Sequence, residues 1–261
     1  MIRELFRSLH NTAAPPSRVV EVGWAIQADK AGVIWGDPAP FSRQGPRPKS
    51  VKSVSFCPAA IDFDARHTLV ACPIDVHLRF QFDDKGQPSL INVPGEQSTI
   101  RAKHLNQMVV IVKRSEWRDP NRPIIQIMTP YLFLADETVY INQVPPYMHY
   151  IDPPWPGTLI GGRFPIDVWP RHLMWAFEWH DLKKDLILKR GQPWFYAHFE
   201  PADPSRPIRL VEARITPEVQ AYMDSVSGVT NYVNRTFSLF ERARSRRPKR
   251  LLFPARAASA D

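Results

Sequence analysis

The stretch His77-Leu78-Arg79-Phe80-Gln81-Phe82-Asp83-Asp84-Lys85-Gly86 decides the fold class. Leu78, Phe80 and Phe82 fall on one side of an extended chain and His77, Arg79 and Gln81 on the other, the period-two pattern of a half-buried strand. Asp83 to Gly86 then has the composition of a hairpin turn. Working outward, the same kind of apolar run recurs at 68–75 before this stretch. After it come 107–112, 123–128, 138–144, 158–166, 172–179, 185–189, 194–199 and 207–215. Prolines number 27 against 11 glycines. A proline cannot donate to a helix or sheet ladder, so this many must sit at strand ends, edges and turns. The expected fold is therefore mainly β: a β-sandwich or jelly-roll-like body over 51–215.

The flanks read differently. Residues 1–10 suit a short amphipathic helix with Ile2, Leu5, Phe6 and Leu9 on one face, and 37–49 are a Pro/Gly/Arg-rich arm. Residues 1–50 are thus expected as an N-terminal helix and proline-rich arm, with a strand and a short second element between Val19 and Trp35. At the other end, Thr216-Pro217-Glu218 is a helix start, with Thr as N-cap, Pro at the first position and an acid near the positive helix end. Val219, Met223, Val226, Val229, Tyr232 or Val233, Phe237 and Phe240 follow at steps of three or four, interrupted by Gly228. That spacing predicts one long helix over 216–245 whose apolar stripe lies against the β body or joins a partner copy in a homo-oligomer. A flexible basic tail is expected over 246–261.

The net charge of +8 belongs mostly to that tail. From Arg235 to Asp261 there are eight Lys/Arg against Glu241 and Asp261. Within it, Arg242 to Arg250 has no aromatic residues interleaved for base stacking and Phe253 stands alone after it, so the stretch reads as a solvated tail and nucleic acid as an unlikely partner. No segment has the roughly 20 apolar residues of a membrane span, and the N-terminus lacks the features of a secretory signal. Cys57 and Cys72, each before a proline in segments read as strands, are expected as buried reduced thiols in a cytoplasmic protein.

Three phrases carry a resemblance: Cys57-Pro58-Ala59-Ala60-Ile61-Asp62, then Cys72-Pro73-Ile74-Asp75, then Lys189-Arg190-Gly191-Gln192-Pro193-Trp194. From about Ser53 to Pro201 the chain resembles a functionally uncharacterised family of bacterial and phage proteins with Cys-Pro-Ala-x-x-Asp and Lys-x-Gly-x-Pro phrases. The resemblance implies a domain type without an established activity. The late phrase is also similar to the strand entry of the trimeric dUTPase jelly roll. In those enzymes a Gly-x-Val-x-Asp segment supplies a catalytic aspartate. The comparable stretch here is Gly162-Arg163-Phe164-Pro165-Ile166-Asp167, with Pro165 at the carboxylate position or the carboxylate displaced to Asp167, and the glycine-rich phosphate arm is missing, which implies at most an inactive relative of a nucleotide-hydrolase barrel.

Two constellations are candidates for chemistry. Glu178 with His180, and His198 with Glu200, each put a carboxylate and an imidazole on one strand face at i and i+2. If their strands were neighbours the four would converge on a metal site, and a non-haem iron, oxygenase-like enzyme is the alternative reading. His198 is the last histidine of the chain, so an upstream His180, His172 or His149 would have to complete such a site. Second, residues 131–199 hold 15 of the 29 aromatics among proline pairs. They form either a large aromatic core or a groove for a small-molecule or peptide ligand. Tyr147, Tyr150 and Trp155 in the loop, with Trp169 and Arg171, are the expected ligand-binding residues. Phosphate-binding glycine loops, Gly-x-Ser-x-Gly and His-Glu-x-x-His are missing. The expectation is a ligand- or partner-binding β protein without a resident cofactor.

Overall fold

The computed structural model describes residues 19–27, 33–42, 50, 52–227 and 236–255. In chain order come β1 (Val20–Ile26), β2 (Ala39–Pro40), α1 (Pro58–Ala65), β3 (His67–Ala71), β4 (Val76–Phe82), β5 (Pro88–Asn92), α2 (Ala102–Met108) and β6 (Val109–Ile111). Next are β7 (Ile124–Leu134), β8 (Val139–Val144), β9 (Gly157–Leu159), β10 (Gly162–Pro165), β11 (His172–Trp179) and β12 (Leu186–Leu188). The chain closes with β13 (Pro193–Pro201), β14 (Ile208–Glu212), α3 (Pro217–Ser227) and α4 (Thr236–Arg246). The protein is mainly β. Its strands form a six-stranded sheet β14-β1-β7-β11-β9 with β6 also on β7, a five-stranded sheet β10-β8-β13-β3-β2, and a three-stranded sheet β12-β4-β5.

The deciding stretch forms β4 and its turn. Gly86 takes φ 71°, closing the turn with its N–H on Asp83 O at 2.8 Å, and Phe82 pairs with Pro88. A positive φ is strained for any residue with a Cβ, which is why glycine stands there.

β7 organises the rest because it is buried on both faces. Its Ile125, Ile127, Tyr131 and Phe133 enter the main core, while Leu132 and Leu134 enter a second core under the C-terminal helices. In the main core the six- and five-stranded sheets meet through aromatic pairs: Tyr131–Phe195 at 6.3 Å, Phe133–Phe199 at 5.4 Å and Trp175–Trp194 at 5.7 Å between ring centroids. The run expected over 123–128 is longer in the structure, β7 reaching Leu134. The strand continues because Pro130 lies where the β7–β11 register shifts, between the His172 and Met174 pairings. There Thr129 donates its hydroxyl to Leu173 O at 2.6 Å. A bulge is one of the few places a sheet tolerates a missing N–H.

Four expectations are corrected. The run 158–166 is two strands in different sheets: β9 pairs β11 and β10 pairs β8. The arm is not separate from the body, since β1 lies between β7 and β14, and β2 pairs β3. The single helix over 216–245 is instead α3 and α4, folded back on one another. Tyr222 donates its hydroxyl toward Val168 O and Ala243 O, the latter at 3.0 Å. Along one continuous helix Ala243 would stand about 30 Å away. The start is as expected, with Val219 N–H on Thr216 Oγ1 at 3.3 Å. Of the two coverings expected for the stripe, the body provides it: Val219, Tyr222, Met223 and Val226 are buried against Leu132 and Leu134.

The fourth correction concerns the tail, which as far as Ala255 is a docked strap. Leu251 and Leu252 are buried, their N–H groups both held by Asp136 Oδ1 at 2.6 and 3.0 Å. Arg247 donates to the carbonyls of Asp167 and Asp136. Gly23 on β1 makes room for the strap, since a Cβ there would lie 2.4 Å from Leu252 Cδ1. The expected N-terminal helix, the interruption at Gly228 and the last residues of the tail lie outside the described residues. Among the described residues no helix is long and apolar enough to cross a membrane.

Candidate functional site

Successive residues of β13 point to opposite faces, so Phe195, Ala197 and Phe199 enter the core and Tyr196, His198 and Glu200 line the outer face of the five-stranded sheet. Register brings His67 of β3 opposite His198 from one side and Asn142 of β8 opposite it from the other. The loop after β8 folds over this face. Pro145 and Pro146 preset its backbone, and two tight turns, Tyr147 N–H to Pro145 O at 2.8 Å and His149 N–H to Pro146 O at 2.9 Å, bring Tyr147 and His149 to the same place. The result is a cluster of His67, Tyr147, His149, Tyr196 and His198, edged by Phe63 of α1 and by Phe41.

His67 is at its centre and is 2% exposed. Its Nδ1 lies 2.7 Å from Phe63 O, at the C-terminal end of α1, and its Nε2 2.8 Å from the Tyr147 hydroxyl. A carbonyl oxygen only accepts, so Nδ1 carries the proton and Nε2 accepts from Tyr147. The imidazole thus gives the helix-end carbonyl of Phe63 a second donor, beside the longer bond from the Arg66 N–H at 3.3 Å. Tyr147 is 53% exposed and, having given its hydrogen to His67, keeps acceptor capacity on its oxygen.

The second imidazole is oriented as firmly. Asn142 Nδ2 is 2.7 Å from Glu200 Oε1, which fixes that atom as the amide nitrogen, and 3.4 Å from His198 Nδ1. Glu200 Oε1 lies 3.7 Å from His198 Nδ1, beyond hydrogen-bonding distance, so we assign Nδ1 of the neutral ring as the acceptor from Asn142 and the proton to Nε2. The His67 and His198 rings are 4.6 Å apart between centroids. Burial pushes both pKa values down, with the neighbouring His67 adding to the effect at His198 and the Phe63 carbonyl opposing it at His67. His149, hydrogen-bonded to the Tyr196 hydroxyl, is also pushed down by burial. Burial raises Tyr147 and Tyr196, so both phenols stay neutral. The nearby guanidiniums are occupied: Arg66 by Asp62 at 3.0 Å, Arg163 by Glu200 at 2.9 Å.

The expected metal quartet does not assemble. Glu178 and His180 belong to β11 and the turn after it, in the six-stranded sheet, whereas His198 and Glu200 lie on β13 between β3 and β8. Glu178 is buried in a pair with Arg118 at 2.6 Å and His180 at 3.1 Å. Burial pushes its carboxyl up, but these two partners outweigh it and leave it below the usual range. Among the described residues no group of three or more His, Cys, Asp or Glu is placed to hold a metal ion, so the iron alternative has no ligand set there.

The aromatic set is also dispersed. Tyr147 joins the cluster and Tyr150 is 87% exposed. Trp155 packs on Trp175 and Phe177 at the main core. Trp169, with Arg171 over its ring at 4.6 Å, packs on Phe240 of α4. Most of the aromatic wealth of 131–199 is core, so these five residues do not line one groove. His67, the residue that sequence reasoning missed, carries a signal only in retrospect: it follows the unrecognised helix α1. Cys57 is corrected too, being exposed at the N-cap of α1, while Cys72 is buried with its thiol pushed up to about 12 by burial.

The three quoted phrases lie at a helix start and in two paired loops. Pro58 opens α1, and the Cys72 and Lys189 loops are zipped together through Cys72 N–H to Gln192 O at 2.8 Å, Gly191 N–H to Cys72 O at 2.9 Å and Arg190 N–H to Asp75 Oδ1 at 2.9 Å. The chain matches no protein-family model, no curated protein and no solved structure.

Proposed function

We propose that this protein binds a small ligand on the outer face of the five-stranded sheet, at the cluster of His67, Tyr147, His149, Tyr196 and His198. One observation carries the reading: the buried His67 holds the hydroxyl of the half-exposed Tyr147, with a second neutral imidazole, His198, 4.6 Å away. Capping α1 needs one imidazole and neither the phenol nor His198. Polar groups with unused hydrogen-bonding capacity, gathered beside exposed aromatic rings, are what ligand sites supply. We read the scaffold as a β-sandwich of jelly-roll type that presents the site on one outer face, and the protein as cytoplasmic, in keeping with its two unpaired cysteines.

The test is ligand-detected NMR against a mixed set of aromatic fragments, using wild type and the double variant Tyr147→Phe/His198→Phe. The expected result is that wild-type hits disappear in a variant with an unchanged methyl spectrum. Hits that persist equally, or a wild type that binds no fragment, would remove the reading.

A further inference from the structure

The proton positions point to a ligand class. The reasoning rests on the binding reading above and deepens it. Two groups that the cluster presents have their hydrogen-bonding sense set by partners inside the fold. Tyr147 has spent its only hydrogen on His67 Nε2 and offers an acceptor. His198 has spent its Nδ1 lone pair on Asn142 and offers an N–H donor. Both sit against the same buried ring, Tyr147 through its hydroxyl and His198 through its imidazole face. Phe63, 43% exposed and 6.5 Å from the Tyr147 ring, adds an apolar wall.

Charges of both signs act on the site. Arg66 and Arg163 are paired with Asp62 and Glu200, and the carboxylate of Asp64 acts on both His67 and Tyr147, which works against an anion. The Arg66 charge acts on His198, and with the His198 N–H donor it works against a cation. From this we infer that the site takes an uncharged, planar group with a donor and an acceptor on one edge, such as a carboxamide or the amide edge of a heterocycle, carried on an aromatic ring.

Three probes of one shape separate the possibilities: benzamide presents donor and acceptor, benzoate acceptors and a negative charge, benzamidine donors and a positive charge. Titrated into the wild-type chain, benzamide is expected to bind with a dissociation constant on the order of a millimolar, as fits so small a ligand. It should shift the His198 and Tyr147 resonances and bind at least tenfold tighter than the other two. Tyr147→Phe and His198→Phe should each weaken benzamide about tenfold. Preference for benzoate or benzamidine at the same resonances would overturn the ligand class and leave the binding site standing. Silence from all three overturns the class as well, and the mixed-fragment screen then decides the binding reading separately. A measurement independent of any ligand checks the premise: side-chain nitrogen shifts should report His67 protonated on Nδ1 and His198 on Nε2. Finding His198 protonated on Nδ1 would overturn the inference even if every variant failed to fold.

Discussion

A single side chain, His67, joins three parts of the molecule: the end of α1, the loop carrying Tyr147 and the strand carrying His198. Replacing it with Ala takes the shorter of two donors from the Phe63 carbonyl, leaves the Tyr147 hydroxyl without its partner and opens a cavity under the loop. The expected loss is about 3 kcal/mol of unfolding free energy, measurable by urea denaturation. Tyr147→Phe, which removes one hydrogen bond at a half-exposed site, should cost about 1 kcal/mol or less. Gly157 is a sharper test of close packing, because a Cβ there would lie 2.0 Å from Glu178 O, a backbone atom that cannot swing aside. Gly157→Ala should therefore lower stability by about 3 kcal/mol and disturb the pairing of β9 with β11, seen as a loss of amide protection at Thr158. The unpartnered indole N–H groups of Trp155, Trp175 and Trp194 gather in the same interior, and we have no physical account of them.

Among the elements, the C-terminal strap is pinned at both ends. Asp136 Oδ1 accepts from two successive amides, Leu251 and Leu252, and the side chain of Leu252 fills the space that Gly23 leaves open. Further on, Arg214 N–H donates to Phe253 O and Ala255 N–H to Glu212 O, each at 2.8 Å. Asp136→Ala should leave two buried donors unsatisfied and raise amide exchange at Leu251 and Leu252 at least tenfold, with α3 unchanged. Equal protection in wild type and variant would mean that leucine burial and these backbone bonds hold the strap without Asp136. The same locality explains what was legible here. The Thr216-Pro217-Glu218 start and the stripe through Val226 are local signals, and α3 carries both. The fold-back of α4 was not legible, because the stripe continues across it and helical spacing does not say where a helix stops.

At the scale of the whole molecule, pH reads the cluster. His67, His149 and His198 all have folded pKa values below the ordinary 6.5. Below that value the unfolded chain binds more protons than the folded one, so stability is full above about pH 6.5 and falls as the solution is acidified toward the folded values. Glu178 and Asp185, both held below their ordinary values of 4.5 and 3.8, with Arg79 the main cause at Asp185, add a second loss at lower pH. Denaturation midpoints measured at pH 8, 6.5 and 5.5 should decline over the last interval. A flat profile would show that these imidazoles titrate freely in the folded state.

The class of the fold was written locally. Alternation in 77–82, the Asp83–Gly86 turn and the wealth of prolines are properties of neighbours along the chain, and they specify strands and turns without reference to anything distant. The sheet that each strand joined was decided by tertiary structure: it put β11 and β13 in different sheets and so dissolved the Glu178/His180/His198/Glu200 site. Nor did the spacing of 131–199 distinguish a ring in the core from one on the surface, since an aromatic side chain has the same period in either place. The candidate site exists because β3, β8 and β13 align His67, Asn142 and His198 across three strands far apart in sequence. That register depends on contacts between residues distant along the chain, which local pattern does not encode.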